Sequence, residues 1–301
     1  MGLKWYLKTR DQHSKFRRTI FDPRADIYQE VIFRVPFFWD AVREKKYFSH
    51  HEISSDLSKF DGKEYLRKAY YNMRLPEECY IECLVSNMAR KAGFKTPQYI
   101  FFDKLTSFVE VAENEGEFNY RALKRLHNIK GFGGFGSVNR YFYGVFKTWK
   151  EYICCCLDRN IYNDLGPYNF SRVSNSDMEI RKQIIGYVKM IEYDGPPCLL
   201  HGDLSPDNII GDSVIDWDSA VFGDPIFELA SACCFYPEEQ HKQIIDQYYG
   251  EDERPKDFWF NFWAYYLRIA VSRVIIKMRR RDKNLRAERI DLALERLGTL
   301  V

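Results

Sequence analysis

The stretch that decides the fold is LLHGDLSPDNIIGDSVIDW, residues 199–217. Two apolar pairs, Ile209-Ile210 and Val214-Ile215, flank Gly211-Asp212-Ser213, which predicts a short β-hairpin with a three-residue turn. In such a hairpin Asn208 and Asp216 lie side by side at the open end. A carboxylate and an amide oxygen at one edge suit Mg²⁺, which takes its other ligands from water and phosphate. The stretch therefore predicts a magnesium-binding hairpin.

Asp203 lies five residues before Asn208, on the loop that leads into the hairpin. An Asp-x-x-x-x-Asn loop followed by a metal-binding Asp has the order and spacing of kinase-type catalytic segments. We therefore predict Asp203 as the catalytic residue and Asn208 and Asp216 as the metal ligands. The alternative for Asp203 is a turn residue that caps the loop. His201 and Asp224 are predicted to be structural, with Asp224 bonding to the backbone of its own loop.

These residues resemble the aminoglycoside phosphotransferases and their choline-kinase-like relatives. The family's His-Gly-Asp-x-x-x-x-Asn and Ile-Asp-Trp motifs correspond to residues 201–208 and 215–217, and residues 223–230 extend the match. Shorter patches at residues 131–136, 148–154 and 266–269 make the sequence most similar to the hygromycin B phosphotransferases. The resemblance implies a bilobal, protein-kinase-like α+β fold, with ATP and Mg²⁺ as cofactors. Its small N-lobe would hold an antiparallel five-stranded sheet plus a helix, and its larger C-lobe would be mostly helical.

The same resemblance implies nucleotide-binding residues in the N-lobe. Arg67, on the third strand, would contact the phosphates and pair with Glu82 of the following helix, and Lys68 is the alternative to Arg67. The loop at residues 49–56 has none of the glycines of a protein-kinase phosphate loop, so Ser54 or Ser55 would reach the phosphates instead.

The chain divides by its patterns into an extension at 1–26, an N-lobe at 27–113 and a C-lobe at 114–301. An apolar period near 3.6 predicts a helix over 27–46, interrupted at Pro36. Extended runs within 52–71, 98–102 and 107–112 predict the strands of the N-lobe, around a helix at 77–91. Further helices are predicted at the approach to residue 127, over 148–156 and 176–192, and as a pair after 256.

Composition excludes several classes of protein. A net charge of +2 and a pI near 8.0 give no general attraction for nucleic acid. No run of uncharged apolar residues is long enough to cross a bilayer, and eight cysteines without zinc spacing indicate free thiols in a reducing cytoplasm. The G-x-G-x-x-G at 131–136 follows a predicted helix rather than a strand, so it does not indicate a dinucleotide site. We expect a cytoplasmic monomer or weak dimer that binds neither membrane nor nucleic acid.

Two further segments leave alternatives open. The aromatic residues of 258–266 are either core or part of an acceptor pocket. The basic run at 277–283 is expected to form a solvated helix face.

The predicted activity is transfer of the γ-phosphoryl group of ATP to a hydroxyl of a small-molecule substrate. An aminoglycoside such as hygromycin B is one candidate acceptor, which would make the protein an antibiotic-resistance enzyme, and a metabolic amino alcohol or sugar is another. The rival from a different class is a catalytically silent nucleotide-binding or scaffold protein of the same fold. A protein kinase is disfavoured because the chain lacks Asp-Phe-Gly and Ala-Pro-Glu.

Overall fold

A computed structural model of the chain describes residues 43–48, 52–60, 63–69, 78–103, 106–112, 115–155, 175–272 and 284–301. The chain forms two compact units. The first comprises Met1–Phe118, Val138–Tyr143 and Asp207–Ala220, and the second comprises Asn119–Ser137, Gly144–Pro206 and Val221–Val301.

The first unit contains an antiparallel sheet with the strand order β1-β2-β3-β5-β4. Its strands are β1 Arg43–Phe48, β2 Glu52–Phe60, β3 Lys63–Ala69, β4 Tyr99–Asp103 and β5 Thr106–Glu110. Helix α1, Glu78–Lys91, packs against β4 and confirms the helix predicted for residues 77–91.

The start of the sheet differs from the sequence prediction. Residues 43–46 lie in β1 and pair with β2, so they are not the end of a helix; residues 27–42 of that predicted helix lie outside the described residues. The two strands predicted within residues 52–71 are confirmed as β2 and β3. Ser54 and Ser55 lie in β2, opposite Lys46 and Lys45, so the phosphate loop predicted over residues 49–56 is strand and not loop from residue 52 onward. Cross-strand pairing is a long-range effect that the helical period of the sequence does not report.

The later strands divide between the two units. They are β6 Phe135–Val138, β7 Gly144–Phe146, β8 Cys198–Leu200, β9 Ile209–Ile210, β10 Ser213–Val214 and β11 Val221–Gly223. The strands β7-β6-β11-β8 form a four-stranded sheet in that order, whereas β9 and β10 form a separate hairpin that belongs to the first unit.

The glycine-rich patch at residues 131–136 leads into β6 and not into a helix, which confirms that it is not a dinucleotide fingerprint. Gly134 has φ +71°, and a Cβ there would lie 2.5 Å from the carbonyl oxygen of Gly144. The Gly144 N–H donates to the Gly133 carbonyl. The patch therefore allows the backbone that leads into β6 to approach the start of β7 closely.

Helices make up most of the second unit. They are α2 Leu123–His127, α3 Trp149–Cys154, α4 Asn175–Met190, α5 Pro225–Cys233, α6 Glu238–Tyr249, α7 Phe258–Ser272 and α8 Asn284–Gly298. Thr148 and Glu151 form a capping box at the start of α3, and Asp224 caps α5 with Pro225 in its first turn. The helix α7 packs against α4, α5 and α8 and so lies at the centre of the unit.

The aromatic residues of α7 belong largely to the core. The side chains of Phe258, Phe262, Tyr265 and Tyr266 are at most 1% exposed, whereas Trp259 is 39% exposed. Burial of each such ring stabilises the fold by about 2 kcal/mol. Of the two alternatives left by the sequence, the core interpretation applies to these four residues.

Among the placed segments, no helix is both long enough and apolar enough to span a membrane. Seven of the eight cysteines are described, and all seven are free thiols. The basic run at 277–283 lies outside the described residues.

Candidate active site

The loop that carries Asp203 is held by a buried carboxylate. Glu228, on α5, is fully buried, and its two carboxylate oxygens accept the backbone N–H groups of His201 and Gly202. His201 is also fully buried, and its Nδ1 lies 3.3 Å from the Asp203 N–H. The Ser205 N–H donates to the Asp203 carbonyl at 2.8 Å. These bonds fix the loop backbone and leave the Asp203 side chain half-buried.

The structural role predicted for His201 is confirmed by these contacts. The role of Glu228 was missed, because the sequence shows it only as the first residue of Glu228-Leu229-Ala230. A Glu directly after an apolar helix start is the signal that could have indicated it, since a carboxylate buried in a helix needs hydrogen-bond donors.

The hairpin after this loop has a shorter turn than predicted. Ser213 pairs with Ile210, so the turn consists of two residues, Gly211 and Asp212, and not three. Asn208 is consequently opposite Ile215, whose N–H donates to the Asn208 carbonyl at 2.9 Å.

This register places Asp216 one position beyond the residue that faces Asn208 across the ladder. Asp216 has the left-handed backbone angles φ 65° and ψ 69°, so the chain turns out of the strand at this residue. Its N–H donates to the Tyr99 hydroxyl at 3.1 Å. The next residue, Trp217, is fully buried and donates from Nε1 to the Thr96 hydroxyl at 2.9 Å. The base of the hairpin is thus anchored within the first unit.

The tip of the hairpin is anchored as well. Gly211 has φ +58°, and a Cβ on it would lie 2.3 Å from the Glu115 carbonyl oxygen. The Asp212 N–H donates to that same carbonyl, and the Asp212 carboxylate forms an ion pair with Lys95. Asp212 is therefore paired through both its backbone and its side chain, although a turn residue of this type is usually only solvated.

Asn208 and Asp216 fit a magnesium site by the chemistry of their donors. Asn208 is buried and Asp216 is half-buried. Both residues lie at the base of the same short hairpin. Mg²⁺ binds through one or two protein oxygens and completes its octahedron with water and phosphate. Within the described ranges, no group of three or more His, Cys, Asp or Glu residues could hold a metal by itself.

The predicted catalytic and metal-binding residues fall in different units. Asp203 lies in the second unit, whereas Asn208 and Asp216 lie in the first. The chain passes from one unit to the other between Pro206 and Asp207.

The predicted nucleotide-binding residues all lie in the first unit. Arg67 is in β3, opposite Phe108 of β5, and Glu82 is in α1 with no exposed surface. The side chains of Arg67, Ser54 and Ser55 are outside the described parts of the structure, so the pairing with Glu82 stays a prediction.

Asp224 is bonded as predicted, and it has an additional partner. Its Oδ1 accepts the Ile226 N–H at 2.9 Å, and its Oδ2 accepts the Tyr265 hydroxyl at 2.9 Å. That hydroxyl in turn accepts the Trp149 Nε1–H at 2.6 Å. Burial raises the pKa of Asp224 to about 6, and the two hydrogen bonds that it accepts oppose that rise.

Comparison with known proteins agrees with the geometry of this segment. Residues 120–259 match the model of the phosphotransferase enzyme family, a range that contains Asp203, Asn208 and Asp216. Hygromycin-B 4-O-kinase of Escherichia coli is 28% identical over 123 residues, which are 38% of this chain. The match spans 34% of the length of that relative.

Solved structures extend the likeness to most of the chain. A thermostable mutant of the aminoglycoside phosphotransferase APH(4)-Ia, in a ternary complex with ADP and hygromycin B, has a TM-score of 0.63 at 17% identity. That likeness covers 86% of this chain and 94% of the other. The macrolide 2'-phosphotransferase of Brachybacterium faecium has a TM-score of 0.52 at 12% identity, covering 85% of this chain and 91% of the other. The family resemblance inferred from the sequence is confirmed, and the fold is of the protein-kinase-like type with mixed helix and strand.

Proposed function

We propose that this protein transfers the γ-phosphoryl group of ATP to a hydroxyl of a small molecule. The observation that carries the proposal is the continuous segment from His201 to Trp217, where a loop acid braced by Glu228 precedes a hairpin with two hard oxygen donors. The family match over residues 120–259 supports the same activity independently of that geometry.

Asp203 is the group that would act on the acceptor. Its carboxylate orients the hydroxyl and takes its proton as the oxygen bonds to the γ-phosphorus and the bond from that phosphorus to the β,γ-bridging oxygen breaks. The products are the phosphorylated acceptor and ADP. Most of the rate acceleration in such a reaction comes from positioning and electrostatic stabilisation, because little covalent chemistry falls to the protein.

Asn208 and Asp216 would hold Mg²⁺, which neutralises charge on the phosphates when it is bound. Arg67 would contact the phosphates, steadied by Glu82, and Lys68 remains the alternative. Ser54 and Ser55 are proposed to reach the phosphates from β2 rather than from a loop. These N-lobe assignments depend on the family resemblance alone.

For the acceptor, hygromycin B is the first compound to test. It is bound in the solved complex of APH(4)-Ia, and the relative from Escherichia coli is a hygromycin-B kinase. The macrolide 2'-phosphotransferase among the structural neighbours makes other hydroxyl acceptors the next candidates.

The experiment is a screen of ADP formation from Mg-ATP with hygromycin B, other aminoglycosides, macrolides, amino alcohols and sugars. The Asp203→Ala variant should abolish turnover, by about 10³-fold or more, while ATP still raises the melting temperature. A matched control is Asp207→Ala, which removes an exposed carboxylate from the same segment and should leave turnover within about twofold of wild type. Near-normal activity of Asp203→Ala would show that the roles are misassigned.

The silent-scaffold alternative gives a different result in the same assays. A scaffold of this fold would show no acceptor-dependent ADP formation and no basal ATP hydrolysis, with or without a melting shift from Mg-ATP. The presence of Asp203 together with Asn208 and Asp216 favours an active enzyme over a silent scaffold.

A further inference from the structure

The second unit contains a cavity that the proposed reaction does not use. Its volume is 580 Å³, and all of its lining residues belong to the second unit. Cavities of about 300–1,000 Å³ are the size that takes small organic ligands. Its floor includes buried Asp224, His127, Tyr248 and Tyr249, and its rim is made of exposed charged side chains.

The cavity carries an excess of negative charge. Three lysines line it, Lys124, Lys130 and Lys256, against six carboxylates. The carboxylates are those of Glu192, Asp194, Asp224, Asp252, Glu253 and Asp257.

Two of these six carboxylates are already neutralised. Lys124 pairs with Asp252, and Glu192 pairs with Lys150, which lies outside the lining. Lys130 donates to the His127 carbonyl at 2.6 Å and lies 3.0 Å from the Cys198 sulfur, so it is engaged with neutral groups.

The other four carboxylates form no ion pair with a described residue, and the third lining lysine, Lys256, sets one positive charge against their four negative charges. Asp194, Glu253 and Asp257 are exposed at the rim, whereas Asp224 is 1% exposed at the floor. The partners of Asp224 are a hydroxyl and a backbone N–H, both neutral. A buried carboxylate without a cation is costly, and a positively charged ligand in the adjoining space would offset that cost.

His127 also lines the floor, and one of its ring nitrogens is buried without a partner. Its side chain is buried, its Nδ1 lies 2.8 Å from the Tyr248 hydroxyl, and its Nε2 has no hydrogen-bond partner among the described residues. Burial lowers its pKa to about 3, so the ring is neutral near pH 7 and adds no positive charge. The rings of Tyr248 and Tyr249 already have cations of the chain over them, since Lys124 Nζ lies 5.6 Å from the Tyr248 ring centre and the Arg254 guanidinium carbon lies 6.0 Å from that of Tyr249. These rings are therefore available to the apolar body of a ligand and not to its cation.

The cavity is at the opposite end of β8 from the catalytic loop. Cys198, the first residue of β8, lines the cavity and pairs with Gly223, the residue before Asp224. Asp203 follows the last residue of the strand by three positions. The chain thus runs from the cavity, along the strand, to the proposed catalytic residue.

We propose that this cavity is a second binding site, separate from the Asp203 site, for a small organic molecule with a protonated amine and an apolar or aromatic body. The ammonium group pairs with Asp224, the rim carboxylates attract it, and the body of the ligand contacts the two tyrosine rings.

The test is calorimetric titration of the full chain at pH 7.5 with 2-phenylethylamine as the probe. The matched controls are 2-phenylethanol and phenylacetate, which keep the ring and replace the cation by a neutral or negative group. The amine should bind at least tenfold more tightly than either control. Equal binding of all three compounds, or no saturable binding of the amine, would overturn the proposal.

Substitutions in the cavity test whether the amine binds there. Asp224→Asn should weaken amine binding at least tenfold, and the double variant Glu253→Gln/Asp257→Asn, at exposed rim positions that do not endanger folding, should weaken it several-fold. Glu239→Gln, an exposed carboxylate outside the cavity, and Asp203→Ala should leave it unchanged. Undiminished binding in both cavity variants, or loss of binding in Asp203→Ala, would show that the amine binds elsewhere. Either result would contradict the proposal.

Discussion

The backbone conformation of Asp216 limits which residue types fit this position. The residue takes left-handed angles, which cost about 1 kcal/mol or more for most side chains but are tolerated by Asp and Asn. The hydrogen bond from its N–H to Tyr99 and the burial of Trp217 hold it there. Few residue types can satisfy both the backbone and the proposed metal at this position.

Asp216→Asn separates these two requirements. Asn keeps the shape and the tolerance for left-handed angles, so we expect the melting temperature to change by less than about 3 °C. It removes the negative charge, so Mg-dependent phosphoryl transfer should fall by about 10²-fold or more. Asp218→Asn, an exposed neighbour, is the control and should retain activity. Wild-type turnover in Asp216→Asn would remove the carboxylate from the metal site.

At the level of elements, local patterns predicted more than long-range ones did. The helical period of residues 77–91 and 176–192 corresponds closely to α1 and α4. Residues 43–46 of β1 were predicted as helix because their partner is supplied by β2, which the local period does not contain. The hairpin of β9 and β10 was predicted with its turn one residue too long, since Ser213 suits either a turn or a strand end.

The support of the loop that carries Asp203 also depends on contacts between elements. Glu228 lies on α5, 25 residues after Asp203 in the chain, and holds the loop that follows β8. No local pattern links a helix position to backbone N–H groups so far away. Sequence motifs could therefore identify Asp203 as a candidate but not the residue that positions it.

Glu228→Gln tests this positioning role. The amide offers one oxygen in place of two and adds a buried donor without a designated acceptor, which costs about 1–3 kcal/mol. We expect kcat to fall by about tenfold or more, with KM for ATP changed less than twofold. Ser231→Ala, on the same helix with a buried hydroxyl that has no partner among the described residues, is the matched control and should keep kcat. An unchanged kcat in Glu228→Gln would reduce this residue to a fold-stabilising role.

At the level of the whole molecule, two buried groups make the free energy of unfolding depend on pH, with opposite signs. The pKa of His127 is lowered to about 3, so between its ordinary value of 6.5 and 3 the unfolded chain binds more protons and stability falls as pH falls. The pKa of Asp224 is raised from 3.8 to about 6, so in that interval the folded protein binds more protons and stability falls as pH rises. Each group contributes a slope of up to about 1.4 kcal/mol per pH unit, and the two slopes oppose one another between pH 4 and 6.

When either group is removed, the free energy of unfolding should follow the pH dependence of the group that remains. Relative to wild type, Asp224→Asn should gain free energy of unfolding as pH rises from 4 to 6, by up to about 1.4 kcal/mol per unit. His127→Gln should show the reverse, with its disadvantage smallest near pH 3 and greatest above pH 6.5. Urea unfolding at half-unit pH steps measures both differences, and a matched Glu239→Gln control should run parallel to wild type because that carboxylate is exposed. Parallel curves for all four proteins would mean that neither buried group changes its proton affinity on folding, which would also weaken the argument that Asp224 needs a cation in the cavity.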